Sequence, residues 1–332
     1  MGCERFGEHV VADPVLEQIA ENKYRVGLVR RNLDEMLESR DRARLKYLFM
    51  REGWTAESFL SELETRLGYK LDPGVEEHAP EDILRDHAGI HSQKQAGLSY
   101  VGASVLRGRL TGDQLAAAAD LAERYASGEL RATIMQNLIF INVPTENAAE
   151  LAGEIEKIGL HVEGSTFWRG AIACTGTEFC KLAITETKGF ARWLVEELEE
   201  RVPQFDEQLK LHVTGCPNGC GQHWIADIGL EGKKIKHEGK MVDAYYFCVG
   251  GAVGKYAAVA RPVGYRVPAT EVPSALERLL RTYLSERRPH ENLRAYFGRH
   301  SSDEIRDRLS GIPLEAVERD VPAGRVPHGV AE

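Results

Sequence analysis

Four cysteines fall into two tight pairs. Ala173-Cys-Thr-Gly-Thr-Glu-Phe-Cys180 is a C-x5-C pair, and Gly215-Cys-Pro-Asn-Gly-Cys220 is a C-x3-C pair. Each pair carries a glycine, which lets the backbone bend tightly around a compact object. Cys180 is expected to open a helix, and a helix N-terminus favours the thiolate, the form that binds metal. Four thiolates on two loops suit a [4Fe–4S] cluster or a structural zinc. C-x5-C is wide for zinc, whose cysteine pairs run from C-x2-C to C-x4-C. Four buried thiols are the third reading, since free cysteine packs like a small hydrophobe, but two glycine turns are not a packing pattern. A single activated thiol is disfavoured because no cysteine has a dedicated histidine base nearby. His212 and His223 flank the second pair, and both read as structural residues beside strands.

The elements that would position these loops follow from periodicity and punctuation. Residues 1–72 read as helical and charged, with one helix within Pro14 to Phe49 and another over Ala56 to Leu67, stopped by Gly68. Residues 73–90 read as a polar linker with prolines at its start. Residues 91–160 give the order β-α-β-β-α. A strand region spans Leu98 to Leu110 and a helix Asp113 to Ala126. Two strands follow, Arg131 to Met135 and Leu138 to Val143, and then a helix capped by Thr145 and ended by Gly159. That order suits a small α+β unit with helices on one face of an antiparallel sheet. Residues 161–290 hold both cysteine pairs. A long helix is expected over Lys181 to Val202 and another over Val272 to Ser285, with strands at Leu209 to Thr214, Ile225 to Leu230 and Tyr245 to Val249. Residues 291–332 are charged and read as a C-terminal extension over the surface.

Composition bounds the class. The chain has 332 residues, a two-domain length, with 43% apolar and 28% charged residues, so it can bury a sizeable core. A net charge of −9 argues against sequence-independent nucleic-acid binding. The most apolar long stretch, Tyr245 to Ala260, is broken by three glycines and Lys255 and is too short for a membrane span. The N-terminus lacks the basic start and apolar core of a signal peptide, so a cytoplasmic location is expected. Thiols there stay reduced. Cys248, in an apolar strand, reads as core, and Cys3 as incidental. The pairs Phe167-Trp168 and Tyr245-Tyr246 read as packing.

The cysteine segments, Ala173 to Lys188 and Thr214 to Gly229, resemble the siroheme-containing nitrite and sulfite reductases in spacing and flanks. The resemblance extends backwards. Arg131 to Phe140 looks like a hairpin of the family's ferredoxin-like half-domain, and Gln95 to Gly102 looks like that half-domain's start. Val249-Gly-Gly-Ala-Val-Gly254 is similar to a glycine turn that follows the cluster motifs, and it lacks the spacing of a dinucleotide loop. The implied fold is α+β: a ferredoxin-like half-domain, then a larger siroheme and [4Fe–4S] domain, preceded by a helical N-terminal segment. The resemblance implies that Cys174, Cys180, Cys216 and Cys220 hold the cluster, and that Cys220 is also the proximal ligand of siroheme iron. It implies a six-electron reduction of sulfite to sulfide or of nitrite to ammonia, fed by a ferredoxin or a flavoprotein. Asn218 would orient the cofactor or simply form the turn. Arg40-Asp-Arg-Ala-Arg-Leu-Lys-Tyr47 resembles the family's substrate-facing basic segment. On that match Arg44 and Lys46 would bind the anion and deliver protons, against the reading of solvated helix charges.

The family has two homologous halves, and this chain reads as the second half with the tail of the first. Further substrate-binding arginines find no matching positions. Arg131, Arg169 and Lys181 could help to neutralise the anionic siroheme, but each reads first as a solvated or structural charge. A truncated or split reductase half is therefore the alternative, acting as a cofactor-binding or electron-transfer subunit with another polypeptide supplying the rest. No ferredoxin-type cysteine run is present, which disfavours the dissimilatory sulfite reductases. An oxygenase-type enzyme of cobalamin biosynthesis, with similar motifs, is a rival within the fold, and a zinc-stapled structural domain is a rival outside it.

Overall fold

The computed structural model describes residues 53–71, 86–253 and 257–311. Arg44, Lys46, Cys3 and the expected helix within Pro14 to Phe49 lie outside these residues. The chain divides into two compact units, residues 1–78 and 79–332. In the first, helix α1 (Ala56–Leu67) has the bounds its sequence signals. The Thr55 side chain accepts from the Ser58 amide, and Gly68 closes the helix at a φ of 73°.

The second unit opens with a four-stranded antiparallel sheet of β1 (Gly89–Ser92), β2 (Leu98–Ala103), β3 (Leu130–Ala132) and β4 (Leu138–Pro144), in the order β1-β2-β4-β3. Helices α2 (Gly112–Tyr125) and α3 (Ala148–Lys157) cover it. Leu121, Ala122, Leu151 and Ile155 from the helices pack with Val101, Ala103, Phe140 and Val143 from the sheet. Strand β1 has no apolar alternation, since three of its four residues are exposed, and nothing in its sequence announces it. Thr145 does not cap the second helix. Its hydroxyl pairs with that of Ser99 at 3.0 Å, and a 3-10 turn, Thr145–Asn147, precedes α3.

The short helix α4 (Thr166–Gly170) leads into a five-stranded mixed sheet of β5 (Ala171–Ala173), β6 (Leu211–Thr214), β7 (Ile228–His237), β8 (Lys240–Val249) and β9 (Arg261–Pro268), paired in that order. β5, β6 and β7 run parallel, and β8 and β9 turn back antiparallel. Helices α5 (Lys188–Arg201) and α6 (Val272–Glu286) contribute Leu194, Leu198, Leu276 and Leu279 to its core. The chain after His290 does not simply run over the surface. Helices α7 (Leu293–Arg299) and α8 (Ser302–Ser310) bury Leu293, Tyr296, Phe297, Ile305 and Leu309 in the same core.

The expected helix over Lys181 to Val202 begins only at Lys188. Cys180 therefore opens no helix. It follows a single 3-10 turn, Gly176–Glu178. The backbone between them is drawn away, with the amides of Ile184 and Thr185 both donating to the Gly215 carbonyl, at 2.7 and 3.2 Å. A long-range acceptor outweighs local helix propensity here. Among the described residues, no helix is long and apolar enough to cross a membrane.

Candidate functional site

Strands β5 and β6 are parallel, with Ala173 opposite Val213. The chain therefore leaves both at the same sheet edge, bearing Cys174 directly after β5 and Cys216 two residues after the end of β6. The Cys174 amide donates to the Val213 carbonyl at 3.0 Å, and the Gly215 amide donates to the Cys174 sulfur at 3.1 Å. Thr187 closes the first loop, its hydroxyl donating to the Cys174 carbonyl at 2.6 Å. The Cys180 amide donates to Gly176 O at 3.0 Å. In the second loop, Gly221 passes so close to β6 that a Cβ there would lie 2.2 Å from the Val213 carbonyl oxygen, so only glycine fits. The two cysteine loops are thus hydrogen-bonded to each other and to the strands that end beneath them.

The four thiols are graded in exposure. Cys216 is buried, Cys174 and Cys180 are half-buried, and Cys220 is exposed. Phe179 and Leu182, on either side of Cys180 in the chain, are 71% and 60% exposed. Asn218, between Cys216 and Cys220, is half-buried. Among the described residues no three His, Cys, Asp or Glu side chains converge as ligands of one ion. A [4Fe–4S] cluster takes one thiolate on each iron, so its ligands stand further apart than those of a single ion.

Two buried histidines underlie the second loop. His212 shares its Nδ1 with the Gln222 carbonyl at 3.0 Å, and burial pushes its pKa down to about 4. His223 is fully buried and pairs through Nε2 with Glu231 at 3.1 Å, and Glu231 also takes Lys233 at 2.6 Å. Burial raises the Glu231 carboxyl, but the hydrogen bonds from His223 and Lys233 outweigh it and leave a net lowering. His223 Nδ1 is buried without a partner, and a Cβ on Gly219 would stand 3.7 Å from it. Both histidines are thus more closely tied to the loop than a strand-flanking role implies.

The remaining candidates disperse. Arg169 forks onto Asp86, with contacts of 2.7 and 3.0 Å, and braces the fold. Arg131 pairs with Glu129 at the surface, and Lys181 is exposed. Cys248 is core, its thiol pushed up to about 12 by burial. Tyr245 and Phe167 are likewise buried, with Tyr245 stacked on Phe190. Lys188, beside Cys174, carries no signal in the spacing and is visible only in three dimensions.

Comparison with known proteins identifies two domains in the chain. Residues 91–158 match the nitrite/sulfite reductase ferredoxin-like half domain, and residues 164–315 match the nitrite and sulphite reductase 4Fe-4S domain. The chain belongs to the nitrite and sulfite reductase family. The assimilatory ferredoxin-dependent nitrite reductase of Haloferax mediterranei is 36% identical over 290 residues, covering 82% of this chain and 49% of that protein. Sulfite reductase [ferredoxin] 2 of Mycolicibacterium paratuberculosis is 34% identical, covering 80% of this chain and 49% of that one. The solved structure of the Mycobacterium tuberculosis NirA protein superposes with a TM-score of 0.71 at 32% identity, covering 79% of this chain and 49% of that chain. The chain spans about half the length of the relatives it matches.

The named relatives are oxidoreductases, and the family carries siroheme and a [4Fe–4S] cluster. The donor set fits the cluster: four free thiols on two interlocked loops at one sheet edge, in the domain named for it.

Proposed function

We propose that this chain is the cluster-bearing half of a nitrite or sulfite reductase. Cys174, Cys180, Cys216 and Cys220 would hold the [4Fe–4S] cluster, and Cys220 would also ligate the siroheme iron. One observation carries the reading: adjacent parallel strands deliver both cysteine pairs to one edge, with Cys220 alone turned outward. Buried Cys216 and half-buried Cys174 and Cys180 would anchor the cluster against the sheet, and exposed Cys220 would present its thiolate to the siroheme. Asn218, in the same turn, would orient that cofactor. When bound, the coupled centre supplies the redox chemistry, a six-electron reduction of sulfite to sulfide or nitrite to ammonia. Arg44 and Lys46 would bind the anion and deliver protons. A ferredoxin, the donor of the nitrite and sulfite reductases this chain resembles, or a flavoprotein would supply single electrons.

A second reading rests on exposure. Cys220, Phe179 and Leu182 all face outward, and the chain spans half the length of its relatives. This chain would then be a cofactor-binding or electron-transfer subunit that needs a separate polypeptide for the first half.

An absorption spectrum of anaerobically purified protein, with iron and acid-labile sulfide counted, tests both. Siroheme bands together with cluster iron support the coupled centre in this chain alone. A broad iron–sulfur band without siroheme supports the subunit reading. Zinc without iron or sulfide overturns both. Cys220→Ser is expected to lose the siroheme bands, and a normal siroheme spectrum in that variant would remove the shared ligand.

A further inference from the structure

Lys188 is a half-buried cation in a cage with no carboxylate. Its Nζ donates to the Arg107 carbonyl, to the Ala173 carbonyl at 2.8 Å and to Gln136 Oε1 at 3.4 Å. Three acceptors match the three N–H bonds of an ammonium. Arg107 returns the contact, its Nη1 donating to the Lys188 carbonyl at 2.8 Å. Gln136 lines up along the outer edge of β5, with its amide bonded to both the carbonyl and the N–H of Ala173, at 3.0 and 3.3 Å.

The nearby carboxylates are already engaged. Glu178 takes Arg109 at 2.6 Å, and Glu186 accepts the amides of Gly189 and Phe190 at the start of α5. Burial lowers the Lys188 pKa, and the opposing influence is led by Cys174. Building the cage also costs backbone strain. Arg107 and Gln136 both hold left-handed backbone, with φ of 57° and 62°, which non-glycine residues rarely adopt. A buried charge without a counter-ion is unfavourable. The three oxygen acceptors offset part of that cost, and the proposed cluster ligand Cys174 follows Ala173, whose carbonyl takes the ammonium.

We infer that Lys188 is a positioning residue whose fixed ammonium balances the charge of a cluster on Cys174 and raises its reduction potential. The inference rests on the proposed function above. A cluster held by four thiolates is net negative, and reduction by a one-electron donor adds one more negative charge to it. A cation one peptide away from a ligand favours the reduced form, because cluster potentials respond to nearby charge. The same ammonium ties the ferredoxin-like half-domain, through Arg107 and Gln136, to the strand that carries the first ligand.

The test is an EPR-monitored redox titration of the full chain loaded anaerobically with iron and sulfide. Wild type is compared with Lys188→Gln, which keeps hydrogen bonding without charge, and Lys188→Arg, which keeps the charge. In Lys188→Gln the one-electron reduction equilibrium is expected to fall about tenfold, a drop of about 59 mV, and in Lys188→Arg most of it returns. An unchanged potential in Lys188→Gln overturns the inference. So does an equal drop in both variants, which would mark packing rather than charge. If Lys188→Gln keeps its circular dichroism but loses iron while Lys188→Arg retains it, the charge is needed even to hold the cluster, which supports the inference. Loss of fold in both variants overturns it in favour of a structural strut. Wild type that takes up no cluster refutes the proposed function instead.

Discussion

Gly215 and Cys174 belong to different cysteine loops, yet the Gly215 amide donates to the Cys174 sulfur at 3.1 Å. The Gly215 carbonyl meanwhile receives the amides of Ile184 and Thr185, from the segment that follows Cys180. One residue thus fixes the second loop against both ends of the first, and the spacing of the cysteines depends on its backbone. This is how two loops far apart in sequence are held against each other where β5 and β6 end.

Gly215→Ala should disturb that clasp. A Cβ there would stand 2.9 Å from Thr185 O, 3.2 Å from Thr187 Cγ2 and 3.3 Å from Ala183 Cβ. The expected cost is about 1–3 kcal/mol, typical of overpacking, with less iron retained per chain after reconstitution. Gly153→Ala in α3 is the control, since nothing lies within 4 Å of its Cβ. It should stabilise the chain by up to about 1 kcal/mol. Chemical denaturation with iron analysis checks both.

Arg169→Met should destabilise without touching the cysteines. Asp86 is buried and receives both prongs of the guanidinium, which is itself one-third exposed. Removing Arg169 strands the carboxylate, at an expected cost of about 3 kcal/mol. Asp86→Asn with Arg169→Met should recover part of this, because the stranded charge is then gone. Denaturation midpoints of the single and double variants decide the matter.

The legible parts of the molecule were the local ones. The cysteine spacings and the helices Ala56–Leu67 and Gly112–Tyr125 are written in short-range signals, an apolar period and a glycine stop. Lys181–Thr187 misleads because its apolar residues suit a helix, while the Gly215 carbonyl, some thirty residues away, takes its amides. Helices α7 and α8 read as surface because charged residues are spread through both, yet Leu293, Tyr296, Phe297, Ile305 and Leu309 suffice to bury one side of each. Strand β1 is an exposed edge with nothing to mark it. Lys188, Glu231 and the loop-facing edge of His223 become legible only when strand order places them, since no spacing rule links Arg107, Gln136 and Lys188.

His212 should make stability pH-dependent. Its ordinary pKa of 6.5 falls to about 4 in the folded chain because burial disfavours the imidazolium. Above about pH 6.5 it is neutral whether folded or unfolded and has no effect. As pH falls towards 4 the unfolded chain takes the proton and the folded chain does not, so stability is lost. Below about 4 the loss is complete, at roughly 3 kcal/mol. His212→Gln, whose amide can still donate towards the Gln222 carbonyl, should flatten the change in Tm between pH 6.5 and 4. An equally steep profile in that variant would place the acid sensitivity elsewhere.

The thiols should also react in a set order when no metal is bound. Cys220 is exposed, Cys174 and Cys180 are half-buried, and Cys216 is buried. Cys248 is 2% exposed, and its thiol is pushed up to about 12, so almost none is thiolate at neutral pH. Since the thiolate is the nucleophile, alkylation of the metal-free chain should, among the five described cysteines, label Cys220 first and Cys248 last, read by peptide mass spectrometry over time. Loading iron and sulfide should then protect Cys174, Cys180, Cys216 and Cys220 together and leave Cys248 unchanged. Chelation and oxidation of the cluster should restore the original order. If loading shielded only one cysteine pair, the two loops would not share a single cluster, and the hydrogen bond from Gly215 to Cys174 would be a packing contact and nothing more.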